Sequence, residues 1–282
     1  MYVNMIKMLK DAEQGRYAVG AFNIVNRLTA KAIVDKAEEM HSPVILQTSQ
    51  KTVEQLSPEG VVDFVKPMAE RAGIPVALHL DHCTKPELAR ACVDAGYSSI
   101  MIDMSKRPLE ENISVCRDTA EYAHKFDVSV EGEIGAIVGV EDNIKITERE
   151  AALADVDSSK MFVEKTGVDF LAPAIGTAHG LYKGIPKIEF ELFAELRKVI
   201  PVPLVVHGGT GLADDVFKHL ISMGAAKINI STALKMAYCG TIAEYCEQNE
   251  KRDPLKLDLA AYEAVKKMAQ GHIELFGGEN KA

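Results

Sequence analysis

Three of the eight histidines sit where a metal-ligand set could be assembled. His82 closes HLDH, His179 lies in GTAHGLYKG, and His207 opens HGGTG, each beside a Gly or an acid. Singly, a histidine at a strand end reads as a hydrogen-bonded structural residue. Three neutral imidazoles on one face, with an open position for water or substrate, make the ligand set of a catalytic zinc ion. His79 shares strand parity with Asp81, so it can point into the same interior and support the ligands. His41, His124, His219 and His272 fall on helical stretches and read as surface residues.

The acids near these histidines could move protons. Asp81 immediately precedes His82, where a carboxylate can act as general acid and base, orient a histidine or cap the next helix. Glu131 and Glu133, in VEGEIG, have period-two spacing and share one side of a strand. Inward carboxylates are costly unless they meet a metal or a cation, so either is an alternate metal ligand or a partner of one. Glu141 and Asp142 belong to a polar, acidic stretch over 137–157, IVGVEDNIKITEREAALADVD, which reads as an active-site lid or a plain surface insertion. Two further stretches suit phosphate: HGGTG (His207–Gly211) and NIST (Asn229–Thr232) each lead into a helix, whose first N–H groups bind dianions. Gly180 and Lys183 would complete an anionic site beside the metal.

The segments that must carry these residues are short apolar runs alternating with amphipathic ones. Strands are predicted at Ala18–Ile24, Pro43–Thr48, Pro75–Asp81, Ser98–Met104, Val128–Gly135, Asp169–Ile175, Pro203–Gly208 and Ala226–Ser231. Nearly continuous apolar runs are the mark of parallel strands buried on both faces. Eight such βα units predict an α/β fold, the (β/α)8 barrel, whose active site lies at the C-terminal ends of the strands. His82, His179 and His207 fall at the ends of the third, sixth and seventh runs. A doubly wound open sheet is the alternative, but no GxGxxG follows the first strand. From Thr232 onward the chain reads as helices on the barrel exterior, with one domain over 1–282.

Composition narrows the class further. The 282 residues carry a formal net charge of -9, which argues against a nucleic-acid partner. Five cysteines, an odd number with no CxxC, fit free thiols in a reducing compartment. No signal-type leader or long apolar span is visible, so a cytoplasmic, non-membrane protein is expected.

The motifs together resemble the class II, metal-dependent ketose-bisphosphate aldolases, which include the fructose- and tagatose-1,6-bisphosphate enzymes. The resemblance runs from about Ala18 to the C-terminus and rests on HLDH, GTAHGLYKG, HGGTG and KINIST, with FNI (Phe22–Ile24) and QTS (Gln47–Ser49) in support. It implies reversible cleavage of a phosphorylated ketose to dihydroxyacetone phosphate and an aldehyde. The implied roles are zinc on His82, His179 and His207 with Glu133 for a displaced metal, Asp81 as proton carrier, and Glu141 as the acid of a mobile loop. Gly180, Gly208, Gly209, Thr210, Asn229, Ile230, Ser231 and Thr232 would hold the triose phosphate, near a monovalent cation (Na+ or K+). Asn23, Ser49 and Lys183 would contact substrate. A homodimer or homotetramer is also implied.

The chain departs from the family pattern at Arg27, Leu28, Met104, Ser231 and Leu255, and lacks the Lys-Tyr that commonly follows QTS. These changes mostly avoid the metal and triose-phosphate elements and bear on the aldehyde half, including whether it carries a second phosphate. The rival readings are an aldolase for a singly phosphorylated ketose, a sugar-phosphate epimerase, a metal-dependent hydrolase and a non-catalytic sugar-phosphate-binding protein. AFNI on the first strand, where many barrel hydrolases carry an HxH pair, argues against the hydrolase.

Overall fold

The computed structural model describes residues 1–141, 144–146, 152–180, 186–251 and 253–282, with the backbone alone at 138–141, 144–146 and 179. The predicted apolar runs form strands β1 (Val19–Asn23), β2 (Val44–Ser49), β3 (Val76–Cys83), β4 (Ser99–Ile102), β5 (Ser129–Ile134), β8 (Phe170–Pro173), β10 (Leu204–Val206) and β11 (Ala225–Ile230). They are parallel throughout and close into a barrel in the order β1-β11-β10-β8-β5-β4-β3-β2. Every residue of these strands is buried, because the barrel interior takes one face and the helices the other. This is the (β/α)8 barrel.

The outer ring contains α2 (Arg27–Glu39), α3 (Gln50–Leu56), α4 (Pro58–Arg71), α5 (Pro86–Ala95), α6 (Leu109–Ala123), α7 (Val156–Thr166), α8 (Phe190–Val199) and α9 (Asp214–Met223). Local sequence sets their ends. Asn26 caps α2 by accepting from Thr29 N at 2.9 Å, while Thr29 returns a bond to the Asn26 N–H. Pro86 opens α5, and Gly96, at φ 106°, ends it in a left-handed turn that turns the chain towards β4.

α1 (Ile6–Gly15) packs Met5, Met8, Leu9 and Ala12 against Val19, Ala21, Ile45, Ala77, Phe170 and Val205, inward residues near the strand beginnings. That end of the barrel is therefore plugged with apolar side chains, and the polar interior is confined to the strand ends. Beyond β11 come α10 (Thr232–Gln248) and α11 (Pro254–Leu275), and α11 packs beside α2.

Three expectations need correction. The stretch over 137–157 is more than an irregular loop: β6 (Val138–Glu141) and β7 (Ile144–Ile146) pair antiparallel, and β6 also pairs parallel with β9 (Ala178–His179). That small sheet joins the insertion to the segment bearing His179. Residues 142, 143 and 147–151, Asp142 among them, lie outside the described residues. Strand β3 does not stop before His82 but continues through Cys83. His272 is not on the surface: it is partly buried on α11, edge-on to Phe22 and Phe276, with Nδ1 2.8 Å from Met268 O.

Candidate metal and active site

Consecutive residues of a strand normally face opposite sides. Asp81 and His82 nevertheless both offer a ligand atom to one cluster with His207, within 4.8 Å of one another. The backbone accounts for this. His82 has φ 45°, in the left-handed region, and the β3–β4 register shifts between Leu80 and Cys83. The irregularity lets two successive side chains enter the same space. Such a conformation is uncommon outside glycine and is held only where surrounding contacts enforce it.

Asp81 is fully buried and is held by two amides: Asn23 Nδ2 donates to Oδ2 at 2.8 Å and Asn229 Nδ2 to Oδ1 at 3.1 Å. Strand register explains the arrangement. Asn23 lies beside Gln47 across β1–β2, where Gln47 Nε2 donates to Asn23 Oδ1 at 2.7 Å. Ser49 lies beside Asp81 across β2–β3 and lines the same cleft as Asp81 and His82, its hydroxyl accepting from Thr52 N at 3.3 Å.

The histidines are oriented by carboxylates. His82 Nδ1 is 3.0 Å from Asp103 Oδ2, and Asp103 Oδ1 accepts from the Ser105 hydroxyl at 2.7 Å. His207 Nε2 is 2.7 Å from Glu131 Oε1. The other oxygen of Glu131 accepts from Lys227 Nζ at 2.9 Å, with both side chains fully buried. Burial first, then the charges of His82 and Lys227, hold the His207 pKa well below its ordinary value, so the ring is neutral. A neutral ring whose Nε2 proton faces a carboxylate presents the Nδ1 lone pair. His82 commits Nδ1 to Asp103, so Nε2 is its remaining ring nitrogen.

Glu133 completes the arrangement. Oε1 accepts from the Ser105 hydroxyl at 3.1 Å, and Oε2 lies 3.2 Å from His207 Nδ1. Oε2 is buried and has no hydrogen-bond partner among the described residues. Burial, reinforced by the charge of Asp103, pushes this carboxyl well above the usual carboxylate range. Without a metal the raised carboxyl keeps a proton between Oε2 and the His207 Nδ1 lone pair, and a divalent cation would take that proton's place. Two imidazoles with carboxylate-backed second nitrogens, and a carboxylate in reach of both, are the donor set a divalent cation takes. The site residues therefore fit a metal, with His82, Asp103 and Glu133 forming a second ligand-competent group.

The sequence matches the model of the family described as fructose-bisphosphate aldolase class-II over residues 3–281. The chain belongs to the class II fructose-bisphosphate aldolase family. It is thus an aldolase, an enzyme that cleaves a sugar phosphate at a carbon–carbon bond. Among solved structures it is similar to the YdjI aldolase of Escherichia coli K12, with 34% identity, all of both chains covered and a TM-score of 0.89. It is also similar to a putative fructose-1,6-bisphosphate aldolase of Coccidioides immitis, with 27% identity over 97% of this chain and 96% of that one and a TM-score of 0.90. The fold is shared with fructose-bisphosphate aldolase of Campylobacter jejuni at 22% identity, 100% and 97% coverage and a TM-score of 0.85. No described helix is long and apolar enough to cross a membrane.

In this aldolase the two phosphate-suited turns lie against each other. Thr210 Oγ1, after β10, accepts from Ala233 N, in the first turn of α10, at 3.4 Å. Gly209 packs so closely on β11 that a Cβ would lie 3.1 Å from the Ile228 side chain and 3.2 Å from Asn229 O. Ser231 is the residue before α10, and Thr232 is its first residue. Gly208, at φ 67°, lies so close to Ala178 that a Cβ would meet its carbonyl oxygen at 2.5 Å. The His179 backbone is thereby placed next to the His207 turn. The side chains of His179 and Glu141 are not described, and Lys183 lies outside the described residues.

Several residues that hold the candidate site together escape a reading of ligand types alone. Asp103 and Ser105 sit within MIDMS, and Lys227 sits within KINIST. Asp103 is held well below the usual carboxylate range: burial opposes this, but hydrogen bonds and charge from His82, with Ser105, outweigh it. A lysine within an apolar strand was the legible signal for Lys227, because such a charge must meet an acid inside.

Proposed function

We propose that the protein cleaves a ketose 1-phosphate of the fructose- or tagatose-1,6-bisphosphate type reversibly to dihydroxyacetone phosphate and an aldehyde, with zinc at His82, His179 and His207. The observation that carries the reading is the Asp81 carboxylate, fixed by Asn23 and Asn229 with a ligand atom within 4.8 Å of those of His82 and His207. Bound there, zinc would supply Lewis-acid polarisation of the ketose carbonyl.

The protein's own residues would carry the protons. Asp81 takes the proton of the C4 hydroxyl as the C3–C4 bond breaks, and the bonding pair passes into the C2 carbonyl to give an enediolate. Glu141 delivers a proton to C3, which gives dihydroxyacetone phosphate; Asp81 then passes its proton to water, and Glu141 is reprotonated from solvent. The turns at Gly208–Thr210 and Asn229–Thr232, with Gly180, hold the phosphate through N–H and hydroxyl donors. Glu133 offers the metal an alternate ligand.

We also propose a homo-oligomer that uses the C-terminal helices. Of α10 only Leu234 is buried, while Met236, Leu255 and Leu259 of the two helices are more than half exposed.

The test is to combine the protein with dihydroxyacetone phosphate and a panel of aldehydes, before and after chelation. Condensation should vanish with the metal and return with zinc. Full activity in chelated protein overturns the reading. An Asp81→Ala variant should keep triose-phosphate binding while cleavage falls by about 10²–10⁴-fold, the usual contribution of a positioned acid–base group.

A further inference from the structure

The carboxylate of a glutamate turns easily about its last bond, because that torsion is broad and roughly two-fold. In Glu133 the direction is nevertheless set. Oε1 accepts from the Ser105 hydroxyl at 3.1 Å, which leaves Oε2 facing His207 Nδ1 at 3.2 Å, with His82 Nδ1 at 3.9 Å. The backbone beneath is held as well, since Asn112 Nδ2 on α6 donates to Glu133 O at 3.0 Å.

Ser105 is placed by the connection from β4 to α6. Asp103 N donates to Cys83 O at 2.7 Å, which ties the start of that connection to β3. Ser105 N then donates to Asp103 Oδ1 at 3.0 Å, closing the short turn that an aspartate side chain makes with the backbone two residues on. The hydroxyl thereby lies between two carboxylates, 2.7 Å from Asp103 Oδ1 and 3.1 Å from Glu133 Oε1. A hydroxyl carries one proton, so these acceptors compete for it. They do not depend on it equally. Asp103 also has the Ser105 N–H on Oδ1 and His82 Nδ1 on Oδ2. Glu133 is buried, and among the described residues Oε1 has no second donor. Loss of the hydroxyl therefore bears chiefly on Glu133.

We infer that Ser105 is a positioning residue for the metal centre: its hydroxyl pins Glu133 Oε1, so that Oε2 alone is turned to the histidines, and this pin sets how tightly the centre holds a divalent cation. The inference rests on the metal-centre reading of the proposed function and deepens it. Groups that orient a ligand from behind govern metal affinity nearly as strongly as the ligands themselves. Without the hydroxyl, the Glu133 carboxylate is free to rotate, and a cation must fix that rotation at its own cost. One βα connection thus orients two ligands, His82 through the Asp103 carboxylate and Glu133 through the Ser105 hydroxyl. The sequence signal is the spacing within MIDMS, a serine two residues after the aspartate.

The test measures zinc affinity by competition with a chromophoric chelator, and the ligand environment by the visible spectrum of the cobalt(II) protein. Ser105→Ala should lower the affinity by roughly tenfold or more, the usual effect of removing a partner of a metal ligand, and should alter the cobalt spectrum. Ser105→Thr keeps the hydroxyl and should keep most of the affinity and the wild-type spectrum. Glu133→Ala should also bind zinc more weakly, and adding Ser105→Ala to it should have little further effect, because the hydroxyl then has no carboxylate to pin. Urea unfolding of the metal-free proteins checks that each variant folds. Should Ser105→Ala not fold, Ser105→Gly deletes the same hydroxyl and is read in the same way. A Ser105→Ala protein with wild-type affinity and spectrum overturns the inference. So does an equal loss with and without Glu133, which would place the effect in Asp103 or the fold, and so does a Glu133→Ala protein that binds zinc as the wild type does. A wild type that binds neither zinc nor cobalt overturns the metal-centre reading itself, and the inference with it.

Discussion

Glu131 Oε1 lies 2.7 Å from His207 Nε2 at the centre of the barrel, and that contact fixes which nitrogen of His207 faces the site. Replacing Glu131 with Gln leaves an amide in place of the carboxylate, so the tautomer is no longer enforced. Metal affinity should fall by roughly 10–100-fold, as for other partners of ligand histidines. Competition with a chromophoric chelator measures this. Unchanged affinity would mean that the contact does not govern the ligand.

The same carboxylate neutralises Lys227 at 2.9 Å, where neither side chain reaches solvent. Lys227→Met should destabilise the metal-free protein by about 3–5 kcal/mol, because Glu131 loses its cation in a dry interior. Lys227→Met combined with Glu131→Gln should cost less than the sum of the single changes. Urea unfolding of the four proteins gives the coupling, and strict additivity would rule out a dependent pair.

The buried histidines give stability a pH dependence in the metal-free protein. Burial, with the charge of Lys227, holds His79 well below its ordinary value, and burial does the same for His207. Both are neutral when folded and take up a proton near pH 6.5 when unfolded. The unfolded state therefore binds more protons below that pH, so the contribution is fully present above about 6.5 and is lost as pH falls towards the folded values. Each group adds a slope of about 1.4 kcal/mol per pH unit in that window. His79→Gln should reduce the slope between pH 6.5 and 5 by one such increment in denaturant titrations. A slope equal to that of the wild type would show that His79 does not stay neutral in the fold.

Gly208 and Gly180 both adopt left-handed angles, φ 67° and 90°, but their surroundings differ. A Cβ at Gly208 would meet Ala178 O at 2.5 Å, whereas one at Gly180 meets nothing within 4 Å among the described residues. Gly180→Ala should therefore cost only the backbone strain, about 1–2 kcal/mol. Gly208→Ala should cost more and should also lower metal content, since the displaced carbonyl belongs to the segment carrying His179. Unfolding curves with metal analysis of both variants decide it; equal effects would count against the close approach.

The barrel itself was largely legible, because parallel strands buried on both faces leave apolar runs that helices and turns separate. Val76 to Leu80 and Ala225 to Ile230 are such runs. The site was legible as residue types at strand ends, and HLDH and HGGTG mark them. Partnerships were less so. Period two places Glu131 and Glu133 on one side, but not the fact that Glu131 takes Lys227 and His207 Nε2 while Glu133 faces His207 Nδ1. Those partners are separated by 74 or more positions and meet only when the barrel closes. The insertion after β5 was read by its polarity, which hid a sheet whose pairing partner, Ala178–His179, lies far along the chain.

What the sequence determined alone was the inventory and its periodicity: apolar runs that must be buried, and the acids and histidines placed at their ends. Only the tertiary structure decided how Asp81 and His82 share one cavity. Alternation along a regular strand would send them to opposite faces. The left-handed φ of His82 and the register shift against β4 bring both into one ligand cluster with His207. That geometry depends on the neighbouring strand as well as on the residues themselves, so four letters, HLDH, could name the chemistry without fixing its direction.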